Sequence, residues 1–350
     1  MSITNYILDV TYEHVTYEHV TCRHVTAGHV TAGHVTCRAR YIAGTGAARL
    51  GCGSGGRRHL VLDEQRRIIG ETRARNPAAV AAAAAARRRR PWLGPAGRLM
   101  IIAADHTARG ILAAGDRPMA MASRSDLLDR LLVALARPGV DGVLGTADII
   151  EDLLLLGALD DKVVLGSMNR GGLPGAAFEL DDRFTGYDAA AIGAAGLDAG
   201  KMLLRIDPAD PATASTLHAC ADAVSDLAAR GLVAVIEPFM VARSGGRRAN
   251  DLSPDAVIRS AAIASGLGTT SAYTWLKIPV VAEMERVADA FTLPALLLGG
   301  DAGDRQDEMF ERWRQALALP NVRGLVVGRN LLYPPDDDVA AAVDTAVSLL

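Results

Sequence analysis

From Arg98 to the C-terminus the chain repeats one pattern eight times, a short apolar strand followed by an amphipathic helical stretch. The predicted strands are 99–104 (LMIIAA), 141–146 (DGVLGT), 163–167 (VVLGS), 201–206 (KMLLRI), 232–237 (LVAVIE), 273–278 (YTWLKI), 295–299 (ALLLG) and 324–328 (GLVVG). The predicted helices lie near 123–136, 148–157, 187–196, 212–230, 254–265, 280–290, 306–318 and 337–350. A continuously apolar strand has both faces covered, which parallel pairing with crossover helices achieves. Eight such units over residues 98–350 match the size and rhythm of a (β/α)8 TIM barrel. A doubly wound open sheet is the alternative, but it starts with a Gly-rich first turn that this chain lacks.

The N-terminal part reads differently. Residues 11–38 carry a five-residue repeat, TYEHV twice, TCRHV, TAGHV twice, then TCRAR, with histidines at His14, His19, His24, His29 and His34. A period of five matches neither a helix nor a strand, and so short a tract cannot stack into a solenoid. Residues 1–58 are therefore expected to be a disordered, dispensable tail, with a histidine-rich metal-binding tract as the alternative. The GCGSGG stretch at 51–56 has no βαβ context, so it is not read as a dinucleotide loop. Residues 59–97 are expected to form a helical extension, broken near Pro77 and ending in RRRR at 87–90, where a basic run suits a helix C-terminus.

The totals exclude several classes. The net charge of −3 argues for neither nucleic acid nor an anionic membrane as partner. No apolar run approaches the roughly 20 residues of a membrane helix, and MSITNYILDV lacks the features of a secretory signal, so a cytoplasmic protein is expected. Cys22, Cys37, Cys52 and Cys220 match no zinc or redox spacing.

Only three of the 37 basic residues are lysine: Lys162, Lys201 and Lys277. Arginine cannot form an imine or give up its proton, so a retained lysine in so arginine-rich a chain is a candidate for chemistry. In a TIM barrel the polar residues at C-terminal strand ends face the active site. Those ends carry Asp105 and His106; Asn169 and Arg170; Glu237; Gly299, Gly300 and Asp301; Gly328 and Arg329; strand 4 also contains Lys201 and Arg205, and strand 6 contains Lys277. Side-chain alternation puts Tyr273, Trp275 and Lys277 on one face of strand 6, and Lys201, Leu203 and Arg205 on one face of strand 4. An inward Lys277, flanked by aromatics and near a second cation, would keep a fraction of neutral amine. The plainer alternative is a buried lysine paired with Glu237. Gly299, Gly300 and Gly328 would let backbone N–H groups approach an anion, with Arg329 as a bidentate partner; alternatively these glycines only turn the chain.

IIAAD (101–105), AGKMLLRI (199–206), VIEP (235–238), WLKIP (275–279), LLLGGD (296–301) and VVGRN (326–330) resemble, in this order, the class I aldolase superfamily of fructose-bisphosphate, tagatose-bisphosphate and deoxyribose-phosphate aldolases. The chain is also similar to actinobacterial aldolase-like barrels, some encoded near inositol-catabolism genes. The resemblance covers about 98–350. It implies Lys277 as the Schiff-base lysine and Glu237 as the carboxylate that shuttles protons during imine formation. It implies Asp105 as the acceptor of the hydroxyl proton when the carbon–carbon bond breaks, and Lys201 as an electrostatic tuner. Gly299, Gly300, Gly328 and Arg329 would clamp a phosphate, and no cofactor or metal is implied.

His106 is either a further acid–base group or a brace for its loop. Strand 7 has no lysine, which departs from the deoxyribose-phosphate aldolases. The expected function is retro-aldol cleavage of a phosphorylated ketose to dihydroxyacetone phosphate and an aldehyde. The substrate favoured by the inositol-linked resemblance is 6-phospho-5-dehydro-2-deoxygluconate, with Arg170 or Arg205 meeting its carboxylate and Asn169 in the same loop. Deoxyribose-phosphate aldolase activity, a non-catalytic sugar-phosphate-binding regulatory barrel, and an imine-free isomerase are the alternatives, and a homo-oligomer is left open.

Overall fold

Eight parallel strands pair edge to edge until the last closes on the first. In the computed structural model these are β1 (Leu99–Ala103), β2 (Gly142–Gly145), β3 (Val163–Ser167), β4 (Ala199–Ile206), β5 (Val233–Ser244), β6 (Thr274–Ile278), β7 (Ala295–Leu298) and β8 (Val322–Val327). The ring runs β1 through β8 in sequence order, β8 pairing back to β1 through Val326 opposite Ile101, which is the expected TIM barrel. The structure describes residues 24–26, 29–31, 56–170, 172–244, 247–300 and 306–350.

Two helices, α1 (Gly56–Arg75) and α2 (Ala78–Ala86), precede the barrel. The others each follow a strand: α3 (Arg124–Leu135), α4 (Ala147–Leu155), α5 (Ala189–Ala194), α6 (Ala212–Ala228), α7 (Pro254–Ser265), α8 (Met284–Asp289), α9 (Gln306–Leu317) and, after the short α10 (Arg329–Leu332), α11 (Val339–Ser348). Several starts are set by side-chain caps: Ser123 accepts from the Asp126 N–H, Asp188 from Ala191, and Asp338 from Ala341. Among the described residues no helix is long and apolar enough to cross a membrane.

Alternation splits the apolar residues into two cores. Leu99, Ile101, Leu144, Leu165, Val235, Trp275, Leu296 and Val326 fill the barrel interior. Met100, Ile102, Val143, Val164, Met202 and Leu276 point outward into the layer beneath the helices. Edge-to-face packing of Trp92 on Trp275, with ring centroids 5.4 Å apart, closes the interior at the N-terminal end. Only one aromatic of the predicted strand-6 face lies inside, because the strand starts at Thr274 and Tyr273 is 40% exposed.

Two other expectations change. The basic run does not end a helix: α2 stops at Ala86, and Arg87 is extended (φ −62°, ψ 129°). Its arginines instead cross the N-terminal end of the barrel and meet aspartates that stand just before strands. Arg87 donates to Lys162 O and Gly196 O, each at 2.6 Å, and pairs with Asp198 at 3.4 Å. Arg88 meets Asp161 at 2.7 Å, Arg89 meets Asp198 at 3.0 Å, and Arg90 meets Asp141. Asp141 and Asp198 also accept the backbone N–H groups of Met100 and Val164, each at 2.8 Å, which stitches neighbouring strand starts together.

The second change is β5, which runs through Pro238 to Ser244 and turns into an antiparallel partner, Arg247–Asn250. The tail, Met1–Arg58, is a unit of its own. Within it His24–Thr26 pairs antiparallel with His29–Thr31, Val25 opposite Val30. The expected disorder of the rest of the tail, the GCGSGG stretch apart from Gly56, His14, His19, His34, Cys22, Cys37 and Cys52, and the position of Asp301 lie outside the described residues.

Candidate active site

Four inward positions, each two residues beyond an apolar one on its strand, carry charge instead of hydrocarbon. The two-residue rhythm that points Ala103, Ala199, Val235 and Trp275 into the barrel points Asp105, Lys201, Glu237 and Lys277 the same way. All four are buried, Lys201 at 1% and Lys277 at 4% exposure. Lys277 Nζ lies 2.8 Å from Glu237 Oε1. Lys201 Nζ touches the other oxygen of Glu237 and lies 3.3 Å from Asp105 Oδ2. Asp105 Oδ2 in turn meets the Arg170 guanidinium and accepts the Ser167 hydroxyl at 3.1 Å. The result is a chain of alternating charge, Arg170–Asp105–Lys201–Glu237–Lys277, in which cations exceed carboxylates by one. A lone buried ion pair would need only Lys277 and Glu237; here Lys201 links them to a second carboxylate.

Burial by itself would raise both carboxyl pKa values. Lys201 and Lys277 overcome that at Glu237, and Arg170 and Lys201 do so at Asp105, so both are held below the usual carboxylate range. Lys201 is pushed down from the ordinary lysine value, by burial first and by Arg170 second. His106 stands beside this chain. Burial, with help from the cations Arg329, Arg170 and Lys277, takes its imidazole down to about 3, so it is neutral at pH 7. Among the described residues nine buried side-chain atoms have no hydrogen-bond partner, and three of them, Asp105 Oδ1, His106 Nδ1 and Arg170 Nε, belong to this one cluster. Such orphans are uncommon in protein interiors, and three of them on charged or titratable groups stand together here.

On the β7–β8 side of the same end, Gly328 has a packing reason of its own, since a Cβ there would stand 2.2 Å from Ala103 O and 3.0 Å from His106 Cε1. Gly300 adopts φ +65°, which favours glycine. Asn330 Nδ2 ties the two rim strands by donating to Gly299 O at 3.0 Å. Arg329 begins α10 and reaches Ala113 O at 3.5 Å.

Two predicted binding residues are occupied otherwise. Asn169 uses both ends of its amide on backbone, donating to Leu203 O (2.6 Å) and Asp182 O (3.1 Å) and accepting from the Leu203 N–H (2.6 Å). Arg205 is locked bidentately on the buried Asp182, at 2.8 and 2.6 Å, and also reaches Glu179 O. Both therefore hold the loop after β3. Ser167 and Arg109 were not singled out from sequence. Alternation with Leu165 could have found Ser167; Arg109 sits in a 3-10 turn with no periodic signal. Among the described residues no three His, Cys, Asp or Glu side chains converge as metal ligands. An ammonium group, Lys201, occupies the space between the two carboxylates.

The crystal structure of Cgl0159 from Corynebacterium glutamicum is similar to this chain, with 57% identity and a TM-score of 0.80, covering 82% of this chain and 96% of that one. A Schiff base-forming fructose-1,6-bisphosphate aldolase superposes with a TM-score of 0.55 at 18% identity, over 77% of this chain and 99% of that one. An archaeal fructose-1,6-bisphosphate aldolase, solved with its catalytic Lys covalently bound to the carbinolamine intermediate, superposes at 0.54 and 19% identity, over 72% and 94%. At these identities the two aldolases share the fold with this chain. No curated protein matches the chain. The family model described as Cgl0159-like matches residues 97–347, and the chain belongs to the Cgl0159-like family.

Proposed function

We propose that the protein is a class I aldolase, a carbon–carbon lyase that cleaves a phosphorylated ketose through a Schiff base on Lys277. The observation that carries this reading is the linked set Lys277–Glu237–Lys201–Asp105 at the C-terminal end of the barrel, the end where TIM-barrel enzymes act. The fold neighbours named as Schiff base-forming aldolases support it. The Lys277 amine adds to the ketone carbon, and Glu237, 2.8 Å away, passes the protons that turn the carbinolamine into an imine and water. Asp105 takes the proton of the substrate hydroxyl as the carbon–carbon bond breaks, and the electron pair is held as an enamine. Lys201 sets the charge on both carboxylates. Gly299, Gly300, Gly328 and Arg329 hold the phosphate on the side of β7 and β8. Protonation of the enamine carbon and hydrolysis of the imine by water then free Lys277, so the products are dihydroxyacetone phosphate and an aldehyde, within cytoplasmic carbohydrate metabolism. 6-Phospho-5-dehydro-2-deoxygluconate is the substrate we favour.

Borohydride tests the nucleophile directly, because it locks an imine as a secondary amine. With a panel of this compound, fructose 1,6-bisphosphate, tagatose 1,6-bisphosphate and deoxyribose 5-phosphate, a mass adduct is expected on the peptide around Trp275–Pro279. Lys277→Arg should lose turnover by on the order of 10⁴-fold or more while keeping the fold. An adduct on Lys162 or Lys201 would move the nucleophile. No adduct with any member of the panel, together with activity lost to EDTA, would sink the reading in favour of a metal-dependent lyase. Phosphate-dependent thermal stabilisation without turnover would favour a binding barrel instead.

A further inference from the structure

Among the described residues Arg109 is the buried cation of this end that no carboxylate contacts. It is 8% exposed and lies four residues beyond Asp105, in the turn that leaves β1. Its Nε donates to Gly172 O at 2.7 Å, which staples the loop after β1 to the loop after β3. Among the described residues its terminal nitrogens make no hydrogen bond, whereas Arg205 is saturated by Asp182 and Glu179. Its charged neighbours do not neutralise it. Burial, then Arg205, take its pKa down to about 10 against the opposing pull of Asp182, with Arg170 adding a smaller push downward and Glu237 a smaller pull upward. A buried cationic atom without a hydrogen-bond partner, Arg170 Nε, lies in the same region on a residue 9% exposed. Two guanidinium groups left short of partners at one place are suited to an oxyanion that arrives with a ligand.

The position of the pair narrows which part of a ligand it would meet. β3 and β4, whose loops hold Arg170 and the Asp182–Arg205 lock, stand across the ring from β7 and β8. A phosphate held at β7 and β8 and a ketone carbon at Lys277 send the rest of the chain across the barrel axis toward Arg109. We infer that Arg109 is a specificity-determining residue that receives a second anionic group, carboxylate or phosphate, at the end of the substrate remote from the β7–β8 phosphate. This inference rests on the aldolase reading for the direction of the substrate, but not on imine chemistry.

Binding separates the two. Calorimetry on Lys277→Met, which cannot form an imine, measures dissociation constants for fructose 1-phosphate, fructose 1,6-bisphosphate and 6-phospho-5-dehydro-2-deoxygluconate, with and without Arg109→Gln. At least one doubly anionic compound should bind more tightly than fructose 1-phosphate. Arg109→Gln should weaken that compound about 10- to 100-fold more than fructose 1-phosphate, the range expected for charge-assisted hydrogen bonds. Selective loss of the bisphosphate identifies a phosphate as the remote group; selective loss of the keto acid identifies a carboxylate. Arg109→Lys keeps the charge and should recover part of the preference; if Arg109→Gln does not fold, the wild-type preference and Arg109→Lys decide. Equal affinity for all three compounds, or an equal loss of all three in Arg109→Gln, would overturn the inference and leave Arg109 as the staple to Gly172. A missing borohydride adduct with the preference intact would count against Lys277 alone.

Discussion

The two ends of the barrel bury charge in opposite ways. At the N-terminal end, Arg87, with a side chain 2% exposed, donates to two carbonyls and contacts Asp198, which also accepts a backbone N–H from β3. Each charge there completes the bonding of a neighbour and joins the start of one strand to the next. At the C-terminal end, two carboxylates are divided among three cations, and Asp105 Oδ1, His106 Nδ1 and Arg170 Nε have no partner. Buried polar groups without partners cost stability, and a fold tolerates them where a ligand is to complete them. The same residue types therefore serve as mortar at one end and as a prepared site at the other.

Removing one carboxylate from each end should break that comparison most sharply. Asp198→Asn leaves Arg87 without its counter-charge, and Glu237→Gln leaves Lys277 without its carboxylate and Lys201 with Asp105 alone. Each should cost about 3–5 kcal/mol in urea unfolding at pH 7. Turnover should separate them: Asp198→Asn keeps it, whereas Glu237→Gln loses about 10²- to 10⁴-fold. The Glu237 contribution also has a definite pH signature. Its folded pKa lies below the unfolded value, so the stabilisation is complete above about pH 4.3 and fades as pH falls toward the folded value. Wild type and Glu237→Gln should therefore converge in stability on acidification; a gap that widens toward acid would refute the assignment.

Much of this contrast was legible in the sequence. Continuous apolar strands gave the barrel, the two-residue rhythm placed Lys201 and Lys277 on one face of their strands, and Asp105 and Glu237 stood out as polar strand ends. What was missed depends on contacts between distant segments. Asn169 and Arg205 looked available to a ligand because nothing local shows that the loop after β3 folds back to place Asp182 against Arg205. Pro238 reads as a strand end, yet β5 continues, since pairing with β4 through Arg205 opposite Phe239 carries the strand past it. The RRRR run read as a helix terminus because its partners, Asp141, Asp161 and Asp198, are far away in sequence. Each nonetheless stands just ahead of a strand, and that was the available signal.

Lys201→Met tests the shared cation with a smaller expected loss. Arg170 still holds Asp105 and Lys277 still holds Glu237, so the fold should survive and kcat/KM should fall about 10²-fold. The informative readout is the pH profile. Burial and Arg170 depress the Lys201 pKa, so a limb in kcat/KM that follows its deprotonation should lie below the usual value of about 10.4. That limb should disappear in Lys201→Met. If it persists unchanged, Lys201 is a packing residue and another group titrates.

The smallest effect is expected within the arginine run itself, where neighbouring residues differ in exposure. Arg88 and Asp161 are 58% and 60% exposed, so their pair is screened by solvent and salt. The backbone of residue 88 makes bonds that any side chain preserves, its N–H donating to Asp160 at 3.1 Å and its carbonyl accepting from the Asp161 N–H at 2.9 Å. Arg88→Ala should therefore move Tm by no more than about 1 °C at 0.15 M salt and by nothing measurable at 1 M. Arg87→Met is the control one residue earlier. It leaves Lys162 O, Gly196 O and Asp198 short of a buried donor and should cost about 3 kcal/mol, little changed by salt. Equal losses at the two positions would mean that the run acts as one electrostatic strip. Unequal losses in this order would place the stabilising role of the N-terminal end in the buried arginine and its aspartate.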